Sequence, residues 1–401
     1  MGHDMKIITV LGSTGSIGIS SLNVISALGK DYKIFGISCN TNISLLYKQV
    51  KKFNPNYAVI TDQSSYKAFI KSHGIDIGNT KILYGNEGLD VIVSDKTITT
   101  VIAAIVGFSC IHSVIKAIDS NKTILIANKE ILVSAGDVII SHLKNSKATI
   151  LPIDSEHNAL LQVILASGLE YKINDENYYK TKIKNLIITA SGGPFINHKP
   201  EDLKKVTSFE AVKHPTWDMG KKISVDSSTM MNKGFEIIEA KLLFNINLDN
   251  IKALIHRQSK IHAIIEFFDG TIISHMSNPD MKIPISYAIT YPKRIYNSIS
   301  DGFLYDSFSF ETVPLDKFPC YWLARNVADI GKNTGLILNA ANEISVEYFL
   351  EDKISYLDIP SIIEDILETS EIVVHDDIVT IIENDLEIRK VTKDLIKTKY
   401  L

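Results

Sequence analysis

Hydrophobic and polar positions alternate in different ways along the 401-residue chain, and the changes divide it into regions. From Met5 to about Ile153, short β-branched runs alternate with amphipathic segments. The runs are KIITVLG, YKIFGIS, YAVIT, TTVIAAIVG, TILIANK and ATILPID. Strands that alternate with helices in this way form βαβ units around a parallel sheet. The pattern therefore predicts an α/β, doubly wound domain over residues 1–153.

The next region mixes both patterns. A helix is predicted after Asp154, followed by the Lys- and Asn-rich insertion EYKINDENYYKTKIKN, a strand leading into TASGGPF, and a helix from about Ser227 to Phe244. KIHAIIEFFDGTIISHM then predicts a hairpin, because Asp269-Gly270 is a favourable tight-turn pair. An α+β domain is predicted over residues 154–290.

The last part of the chain is predicted to be helical. Residues 291–316 contain Pro, Tyr and Asp residues typical of a linker. From Tyr321 onward the apolar spacing is helical, most clearly in LILNAANEISVEYFL. A C-terminal helical domain is predicted over residues 317–401.

Composition excludes several classes of function. The formal net charge is −4 and the Lys and Arg residues are dispersed, which argues against a nucleic-acid partner. Three widely spaced cysteines fit a reducing compartment better than a disulfide frame. The N-terminus shows no signal-peptide pattern, and the longest apolar run is too short and too polar for a membrane span of about 20 residues. These features predict a soluble cytoplasmic protein without a membrane partner.

The stretch VLGSTGSIG places Gly12, Gly15 and Gly18 where the first strand turns into the first helix. Small residues there let the backbone approach a pyrophosphate at the helix N-terminus. Further backbone N–H donors would come from Thr14, Ser16 and Ile17. The spacing departs from the usual G-x-G-x-x-G, and a turn that binds nothing is the alternative. Its position in a βαβ unit favours dinucleotide binding.

The end of the second strand, GISCNTN, bears on the choice of cofactor. An acidic residue there would bind the ribose 2′-hydroxyl of NAD, and a basic residue would bind the 2′-phosphate of NADP. This chain has neither. Side chains suited to hydrogen-bonding a phosphate are Ser38, Asn40, Thr41 and Asn42. The missing acid disfavours strict use of NAD, and the missing base leaves a preference for NADP open.

Two carboxylates follow a predicted buried strand in ILPIDSEHNALLQ. Asp154 and Glu156 are two residues apart, and on a strand such side chains point to the same side. Like charges that close require a cation, a proton or a base between them. Their oxygen atoms suit Mg²⁺ or Mn²⁺, but two carboxylates seldom complete such a site. A third ligand is therefore expected.

The third ligand is predicted on the helix within SVDSSTMMNKGFEIIEAKLLF. Its buried stripe would consist of Met231, Phe235, Ile238 and Leu242. Asn232, Glu236 and Glu239 would share another face, with Lys233 beside them. A solvated polar face is the alternative.

Three further segments carry candidate chemistry. In IANKE, Lys129 lies at a strand exit, where α/β sheets bind ligands; a solvated Lys129 paired with Glu130 is the alternative. In SGGPF, Ser191 and the glycines suit a phosphate, or they form a plain turn. KHPTWDMGKK is predicted to close over a ligand with Gly220 as a hinge, or else to be a surface loop with its Trp in the core.

Ten blocks in this order resemble the 1-deoxy-D-xylulose 5-phosphate reductoisomerase family over nearly the whole chain. They are GSTGSIG, AAIVG, LIANKE, PIDSEHNA, TASGGPF, HPTWDMGKKISVDSSTMMNKGFE, IHRQS, DGTI, NPDMKIPI and NAANE. The resemblance implies a homodimer with an N-terminal Rossmann-like NADPH domain, a central catalytic and dimerisation domain, and a C-terminal helical bundle. It also implies NADPH- and metal-dependent conversion of 1-deoxy-D-xylulose 5-phosphate to 2-C-methyl-D-erythritol 4-phosphate in non-mevalonate isoprenoid synthesis.

The resemblance further implies a role for individual residues. The divalent cation (Mg²⁺, Mn²⁺ or Co²⁺) would be bound by Asp154, Glu156 and Glu236, which with Lys129 form the catalytic set. The sugar phosphate would contact Ser155, Glu156, Ser191, His214, Trp217, Met219, Ser227, Asn232, Lys233 and Glu236, with Trp217 and Met219 on a closing flap. NADPH would contact Gly12, Ser13, Thr14, Gly15, Ser16, Ile17, Gly36, Ser38, Asn40, Asn128, Lys129, Glu130 and Gly220. Asn40 stands where the family pattern has a basic residue.

Two other functions compete with this interpretation. A metal-independent dehydrogenase would need only the first domain and a proton donor such as Lys129 or His214. A nucleotide sensor would keep GSTGSIG but would have no need for three carboxylates and a closing flap. Neither explains a polar helix face that carries both Glu236 and Lys233.

Overall fold

The computed structural model of the chain describes residues 5–173, 175, 177–217, 219–294, 307–314 and 316–401. The first elements are β1 (Lys6–Leu11), α1 (Ser16–Leu28), β2 (Tyr32–Cys39), α2 (Ile43–Phe53), β3 (Tyr57–Ile60), α3 (Gln63–His73), β4 (Asp76–Ile77), β5 (Thr80–Tyr84) and α4 (Gly85–Ser94). They are followed by β6 (Thr100–Ala103), α5 (Ile111–Asp119), β7 (Thr123–Ile126), α6 (Lys129–Lys144), β8 (Thr149–Pro152) and α7 (Ser155–Ala166).

The remaining elements begin after the Lys- and Asn-rich insertion. They are β9 (Ile183–Ala190), α8 (Ser208–Ala211), α9 (Lys221–Ser228), α10 (Met231–Phe244), β10 (Ile251–Ile255), β11 (Ile261–Phe267), β12 (Ile272–Met276) and α11 (Lys282–Thr290). The last are β13 (Glu311–Thr312), α12 (Pro319–Ile330), α13 (Thr334–Leu350), α14 (Asp358–Thr369) and α15 (Ile378–Leu395).

The described residues form two compact units that the chain enters more than once. The first unit consists of the described residues 5–128, 139–158 and 280–294. The second unit consists of the described residues within 129–138, 159–279 and 307–401. The boundaries predicted at residues 153, 290 and 316 stay predictions, and residues 295–306 and 315 of the predicted linker lie outside the described residues.

The first unit is built on an eight-stranded sheet in the order β4-β5-β3-β2-β1-β6-β7-β8. Neighbouring strands are parallel except β4, which is antiparallel to β5. The sheet's core strands are almost fully buried, as expected when helices cover both faces. The strand order reverses between β1 and β6, which is where doubly wound sheets bind ligands. The predicted α/β class and all six predicted strands are confirmed, while the short pair β4 and β5 was missed.

The second unit is built on a five-stranded mixed sheet in the order β12-β11-β9-β10-β13. Strand β9 pairs in parallel with β10 and antiparallel with β11. The predicted hairpin is confirmed: β11 and β12 pair antiparallel, and Gly270 adopts a φ of 86° in their turn. Helices α12 to α15 form the predicted helical C-terminal region, in which α13 packs against α14 and α15.

One sequence-based expectation about an element was wrong. The helix predicted from about Ser227 is two helices, because α9 ends at Ser228 and Met230 takes a left-handed φ of 61° before α10 begins. The charged insertion is anchored through its aromatic residues. Tyr179 is fully buried, lies 6.5 Å from the Phe244 ring, and donates its hydroxyl to the Glu170 carbonyl at 3.0 Å.

No helix in the described part of the chain is long and apolar enough to cross a bilayer.

Candidate active site

The turn from β1 to α1 leaves space for nothing larger than glycine at two positions. Gly12 has a φ of 75°, and a Cβ there would lie 2.7 Å from the Ala104 carbonyl oxygen on the neighbouring strand's exit. A Cβ on Gly18 would lie 2.2 Å from the Gly12 carbonyl oxygen. The helix therefore starts close against the strand end, with its N-terminal amides at the point where the strand order reverses. This is the geometry in which a helix N-terminus binds a pyrophosphate.

The end of β2 supports this turn directly. The Gly12 amide donates to Ser38 Oγ at 2.9 Å, and the Ser13 amide donates to the Ser38 carbonyl at 2.8 Å. Asn40 is exposed just beyond the strand and accepts a hydrogen bond from Thr61 Oγ1 at 3.1 Å. Asn42 is the N-cap of α2, and its side chain accepts a hydrogen bond from the Leu45 amide.

Gly36 has a different setting from the other glycines predicted to touch the cofactor. It lies within β2, and a Cβ there would lie 2.8 Å from Ile92 Cβ. Packing alone therefore requires glycine at this position. A cofactor contact of Gly36 stays a prediction.

Asn128 follows β7, and its side chain is hydrogen-bonded to the segment after β6. Its amide nitrogen donates to the carbonyls of Ile105 and Gly107. Asn128 is 4% exposed, and its Oδ1 has no hydrogen-bond partner among the described residues. A buried amide oxygen without a donor is costly unless a ligand or water supplies one. This atom fits the amide or hydroxyl group of a bound cofactor.

The two carboxylates after β8 do not sit on a strand, so the geometric reason given for their convergence was wrong. The strand ends at Pro152 and α7 begins at Ser155, which puts Glu156 in the first helical turn. Ser155 Oγ donates to Glu156 Oε2 at 2.7 Å. His157 is completely buried, and its Nδ1 lies 3.7 Å from Asp154 Oδ2. Negative charge is favourable at a helix N-terminus, which explains why two acids are tolerated here.

In the second unit, the polar face of α10 is buried and not solvated. Glu236 is 1% exposed, Lys233 is 3% exposed and Lys129 is 5% exposed. Glu236 accepts hydrogen bonds from Lys129 Nζ at 3.0 Å, from Asn232 Nδ2 at 2.5 Å, and from Lys233 Nζ. The solvated alternatives for this helix face and for Lys129 are both wrong. Glu130 pairs instead with Lys222, at 3.0 Å.

Ser191 and His214 form a hydrogen-bonded pair whose proton positions follow from its neighbours. The Thr216 and Trp217 amides donate to His214 Nδ1 at 3.2 and 2.9 Å, so this nitrogen is the acceptor. His214 Nε2 therefore carries the proton and donates to Ser191 Oγ at 2.9 Å. The Gly193 amide also donates to Ser191 Oγ. The hydroxyl hydrogen of Ser191 consequently remains for donation to an anion.

Burial keeps His214 neutral over a wide pH range. Loss of hydration lowers its pKa from 6.5 to about 4. The imidazole therefore keeps its single N–H at neutral pH.

The second glycine of SGGPF packs against the end of α9. Gly193 has a φ of 68°, and a Cβ there would lie 2.7 Å from the Ser227 carbonyl oxygen. The loop that carries Ser191 is thereby held against the turn that carries Ser227. Ser191 and Ser227, which are both predicted to contact the substrate, therefore lie on neighbouring backbone segments.

The predicted flap segment is partly buried. Trp217 is half-buried, with its ring centroid 6.3 Å from that of His262. Gly220 is the N-cap of α9, and its carbonyl accepts from the Ser224 amide and hydroxyl at 3.1 and 3.0 Å. Met219 is half-buried beside it, and Asp218 lies outside the described residues.

Sequence reasoning missed three polar residues close to the predicted ones. His157 stands in the DSEH block, and His262 is a buried strand residue whose pKa is lowered to about 3, chiefly by burial. Lys222 pairs with Asp226 at 2.8 Å. The i, i+4 spacing of Lys222 and Asp226 was a readable signal. His262 gave none, since a lone histidine in an apolar run has no specific pattern, whereas His157 stood beside the two carboxylates of DSEH and could have been noted there.

Models of one family match three stretches of the chain. Residues 8–136 match 1-deoxy-D-xylulose 5-phosphate reductoisomerase, residues 150–244 match its C-terminal domain, and residues 276–391 match the DXP reductoisomerase C-terminal domain.

Relatives and solved structures agree over almost the full length. The 1-deoxy-D-xylulose 5-phosphate reductoisomerase of Caldanaerobacter subterraneus subsp. tengcongensis is 40% identical over 400 residues, covering 99% of this chain and 100% of the relative. That of Clostridium perfringens is 41% identical over 370 residues, covering 91% and 93%.

A crystal structure of DOX-P reductoisomerase in complex with NADPH, fosmidomycin and magnesium is 37% identical, with a TM-score of 0.89 over 98% of this chain and 99% of that one. The Zymomonas mobilis enzyme in complex with NADPH is 34% identical, with a TM-score of 0.87 over the same shares. The chain therefore belongs to the 1-deoxy-D-xylulose 5-phosphate reductoisomerase family.

Proposed function

We propose that this protein converts 1-deoxy-D-xylulose 5-phosphate to 2-C-methyl-D-erythritol 4-phosphate, with NADPH as the hydride donor and a divalent cation. The observation that carries the proposal is the buried polar cluster around Glu236. A buried carboxylate that accepts from two ammonium groups and an amide is costly to build for stability alone. Clusters of this kind are typical of sites that bind charged substrates.

NADPH is proposed to bind the first unit through its pyrophosphate and nicotinamide ends. The crowded glycine turn at Gly12 and Gly18 fits a pyrophosphate, and Asn128 Oδ1 offers a buried acceptor. The other proposed contacts are Ser13, Thr14, Gly15, Ser16, Ile17, Gly36, Ser38, Asn40, Lys129, Glu130 and Gly220. Bound NADPH would supply the hydride that reduces the rearranged carbonyl.

The cation is proposed to bind Asp154, Glu156 and Glu236. Three carboxylates provide the hard oxygen donors that Mg²⁺, Mn²⁺ and Co²⁺ accept. A bound cation would supply a Lewis acid that polarises the substrate ketone and eases deprotonation of a neighbouring hydroxyl.

The substrate phosphate is proposed to lie against Ser191, Ser227, Asn232 and Lys233. Ser191 is suited to this role because His214 and the Gly193 amide occupy its acceptor sites, which leaves its O–H to donate. Lys233 contributes positive charge and Asn232 an amide donor. Ser155 is proposed to contact the sugar, and Trp217 and Met219 to cover it and exclude water.

A homodimer is also proposed, with the edge strand β12 in the interface. Two of its three exposed residues are apolar, since Ile272 is 65% exposed and Met276 is 39% exposed, while Ser274 is the third. Phe268, before the turn, is 59% exposed. An exposed, apolar edge strand is ordinarily covered by a partner.

A cytoplasmic location belongs to the same proposal. Its support is that Cys39, Cys110 and Cys320 are buried and none of them takes part in a disulfide, as suits a reducing compartment.

The test of the function follows the oxidation of NADPH and NADH with 1-deoxy-D-xylulose 5-phosphate, in Mg²⁺ or Mn²⁺ and after chelation. Glu156→Gln removes one proposed cation ligand, and we expect kcat/KM to fall roughly a hundredfold or more. Glu87→Gln is the matched control, because Glu87 is an exposed glutamate in the first turn of α4. It should leave turnover unchanged.

Two results would contradict the proposal. A turnover rate that is unchanged after chelation of the metal would point to a metal-independent dehydrogenase. Binding of NADPH without turnover of the sugar phosphate would point to a nucleotide sensor.

A further inference from the structure

Lys222 on α9 lies between carboxylates from two different helices of the second unit. Its Nζ is 2.8 Å from Asp226 Oδ2, one turn further along α9. The same atom is 3.0 Å from Oε1 of Glu130, in the first turn of α6. The ammonium also lies 5.3 Å from the centroid of the Phe235 ring on α10. One cation thus joins three helices.

The charges in this group depend on one another. The Asp226 side chain is 2% exposed, that of Glu130 is 12% exposed, and that of Lys222 is 21% exposed. Burial raises the pKa of Asp226, while the charge of Lys222 overcomes burial and lowers the pKa of Glu130. Removing the ammonium would leave two buried carboxylates without their shared cation, which is strongly unfavourable.

The group continues into the C-terminal helices. Asp226 Oδ1 accepts a hydrogen bond from Asn342 Nδ2 at 2.9 Å, and Asn342 on α13 is completely buried. Asn342 therefore holds one oxygen of the Asp226 carboxylate while Lys222 holds the other.

The sequence neighbours of the two carboxylates are the residues assigned to the chemistry. Lys129 immediately precedes Glu130, and Ser227 immediately follows Asp226. Because α6 and α9 are joined at Lys222, a shift of one carboxylate would move the adjacent backbone turn. Displacements of about 1 Å in a catalytic group can cost on the order of a hundredfold in rate.

We infer that Lys222 is a positioning residue: through its ion pairs with Glu130 and Asp226, it holds the Lys129–Glu130 turn in register with the turn that carries Ser227. This inference rests on the proposed function, since that function gives Lys129, Glu130 and Ser227 their roles. Lys222 is not among the residues proposed to contact the substrate, the cation or the cofactor.

The test compares Lys222→Met and Lys222→Arg with the matched control Arg389→Met. Arg389 on α15 also bridges two carboxylates, Asp385 four residues before it at 2.7 Å and Glu343 on another helix at 2.6 Å. Both Met variants should therefore lower the midpoint of thermal unfolding.

Only Lys222→Met should change function. We expect kcat with 1-deoxy-D-xylulose 5-phosphate to fall roughly tenfold to a hundredfold, more than KM changes. The dissociation constant of NADPH, measured by fluorescence titration without substrate, should rise roughly tenfold because Glu130 loses its charged partner. Lys222→Arg should restore most of both values, and Arg389→Met should retain both.

The inference is overturned if Lys222→Met lowers the unfolding midpoint as Arg389→Met does but keeps the wild-type kcat and NADPH affinity. Should Lys222→Met fail to fold, Lys222→Gln decides by the same two measurements, since it keeps a donor without the charge. Absence of turnover in the wild type would contradict the proposed function instead, and the NADPH titration would still test the positioning role.

Discussion

At the scale of single residues, Glu236 is a buried charged group of the candidate site that has charged partners. Its carboxylate is almost fully buried, and the ammonium groups of Lys129 and Lys233 compensate its charge. Breaking such a group by removing one partner costs several kcal/mol, typically about 3–5. Glu236 is therefore held in one position by the Asn232 amide and by the ammonium groups of Lys129 and Lys233. Charged side chains held in fixed positions in this way are what a reaction with charged intermediates requires.

The pKa of His214 leads to a prediction about pH. The unfolded histidine titrates near 6.5, whereas the folded one titrates near pH 4, so between these values the unfolded state binds more protons. The contribution of His214 to the free energy of unfolding is therefore fully present above pH 6.5 and is lost as the pH falls towards 4. His262, whose pKa is about 3, acts in the same direction.

The measurement is the denaturant midpoint at pH 7.5 and at pH 5. His214→Gln should reduce the difference between the two midpoints. An equal difference in the variant and the wild type would contradict the lowered pKa of His214.

Asn40 carries a prediction about the cofactor. An arginine here would place a permanent charge at the exposed end of β2, where the 2′-phosphate of NADPH is proposed to lie. We expect Asn40→Arg to raise the ratio of kcat/KM for NADPH over NADH by roughly tenfold. Asn40→Gln is the neutral control and should leave the ratio unchanged. A ratio unaffected by the arginine would place the 2′-phosphate elsewhere.

At the scale of elements, close packing of backbone segments shapes the candidate site. Met230 interrupts what the apolar pattern predicts as one helix, so that α9 and α10 present Ser227 and Asn232 on separate turns. Gly193 lets the Ser191 loop approach the end of α9. A left-handed residue other than glycine is uncommon and is tolerated where the surroundings fix it. Met230 is 2% exposed, which meets that condition.

The glycine turn after β1 gives a prediction that separates crowding from backbone strain. Gly18→Ala would place a Cβ against the Gly12 carbonyl, whereas Gly29→Ala would meet nothing within 4 Å but must adopt a φ of 87°. We expect Gly29→Ala to cost about 1 kcal/mol of unfolding free energy and to keep NADPH affinity.

Gly18→Ala should weaken NADPH binding at least about tenfold, because α1 must move away from the turn. Fluorescence titration and denaturant unfolding measure the two effects. Equal NADPH affinity in both variants would argue against pyrophosphate binding at this turn.

At the scale of the whole molecule, neither compact unit is a continuous stretch of chain. The chain passes between the units after Asn128, Val138, Asn158 and Pro279, and once more between residues 294 and 307. Each unit therefore depends on segments that are distant in sequence, so a truncation at the crossing after Val138, Asn158 or Pro279 leaves neither unit complete. Two of the crossings adjoin candidate site residues: Lys129 follows the first crossing, and Glu156 precedes the third by two residues.

The proposed dimer is tested at strand β12. Ile272→Lys would put a charge into the apolar edge, and we expect it to shift the molar mass in light scattering towards the monomer. Ile372→Lys is the matched control, because Ile372 is an exposed isoleucine, at 41%, in the loop after α14. It should leave the mass unchanged. A dimer that tolerates Ile272→Lys would place the interface on another surface.

The sequence by itself determined the elements whose signals are local. The β-branched runs gave the strands of the parallel sheet, the glycines marked the first strand–helix turn, and Asp269-Gly270 marked the hairpin. These predictions succeed because periodicity and turn chemistry act over a few neighbouring residues. The resemblance of ten ordered blocks likewise named the family without any coordinates.

Only the tertiary structure decided how the charged side chains are partnered. Nothing in IANKE indicates that Lys129 bonds Glu236, 107 residues away, while Glu130 bonds Lys222. The burial of the α10 polar face, the tautomer of His214 and the break at Met230 were also undetermined by local pattern. The physical reason is that hydration, pKa and ion pairing depend on which distant segments exclude water from a group, and that is a property of the folded chain.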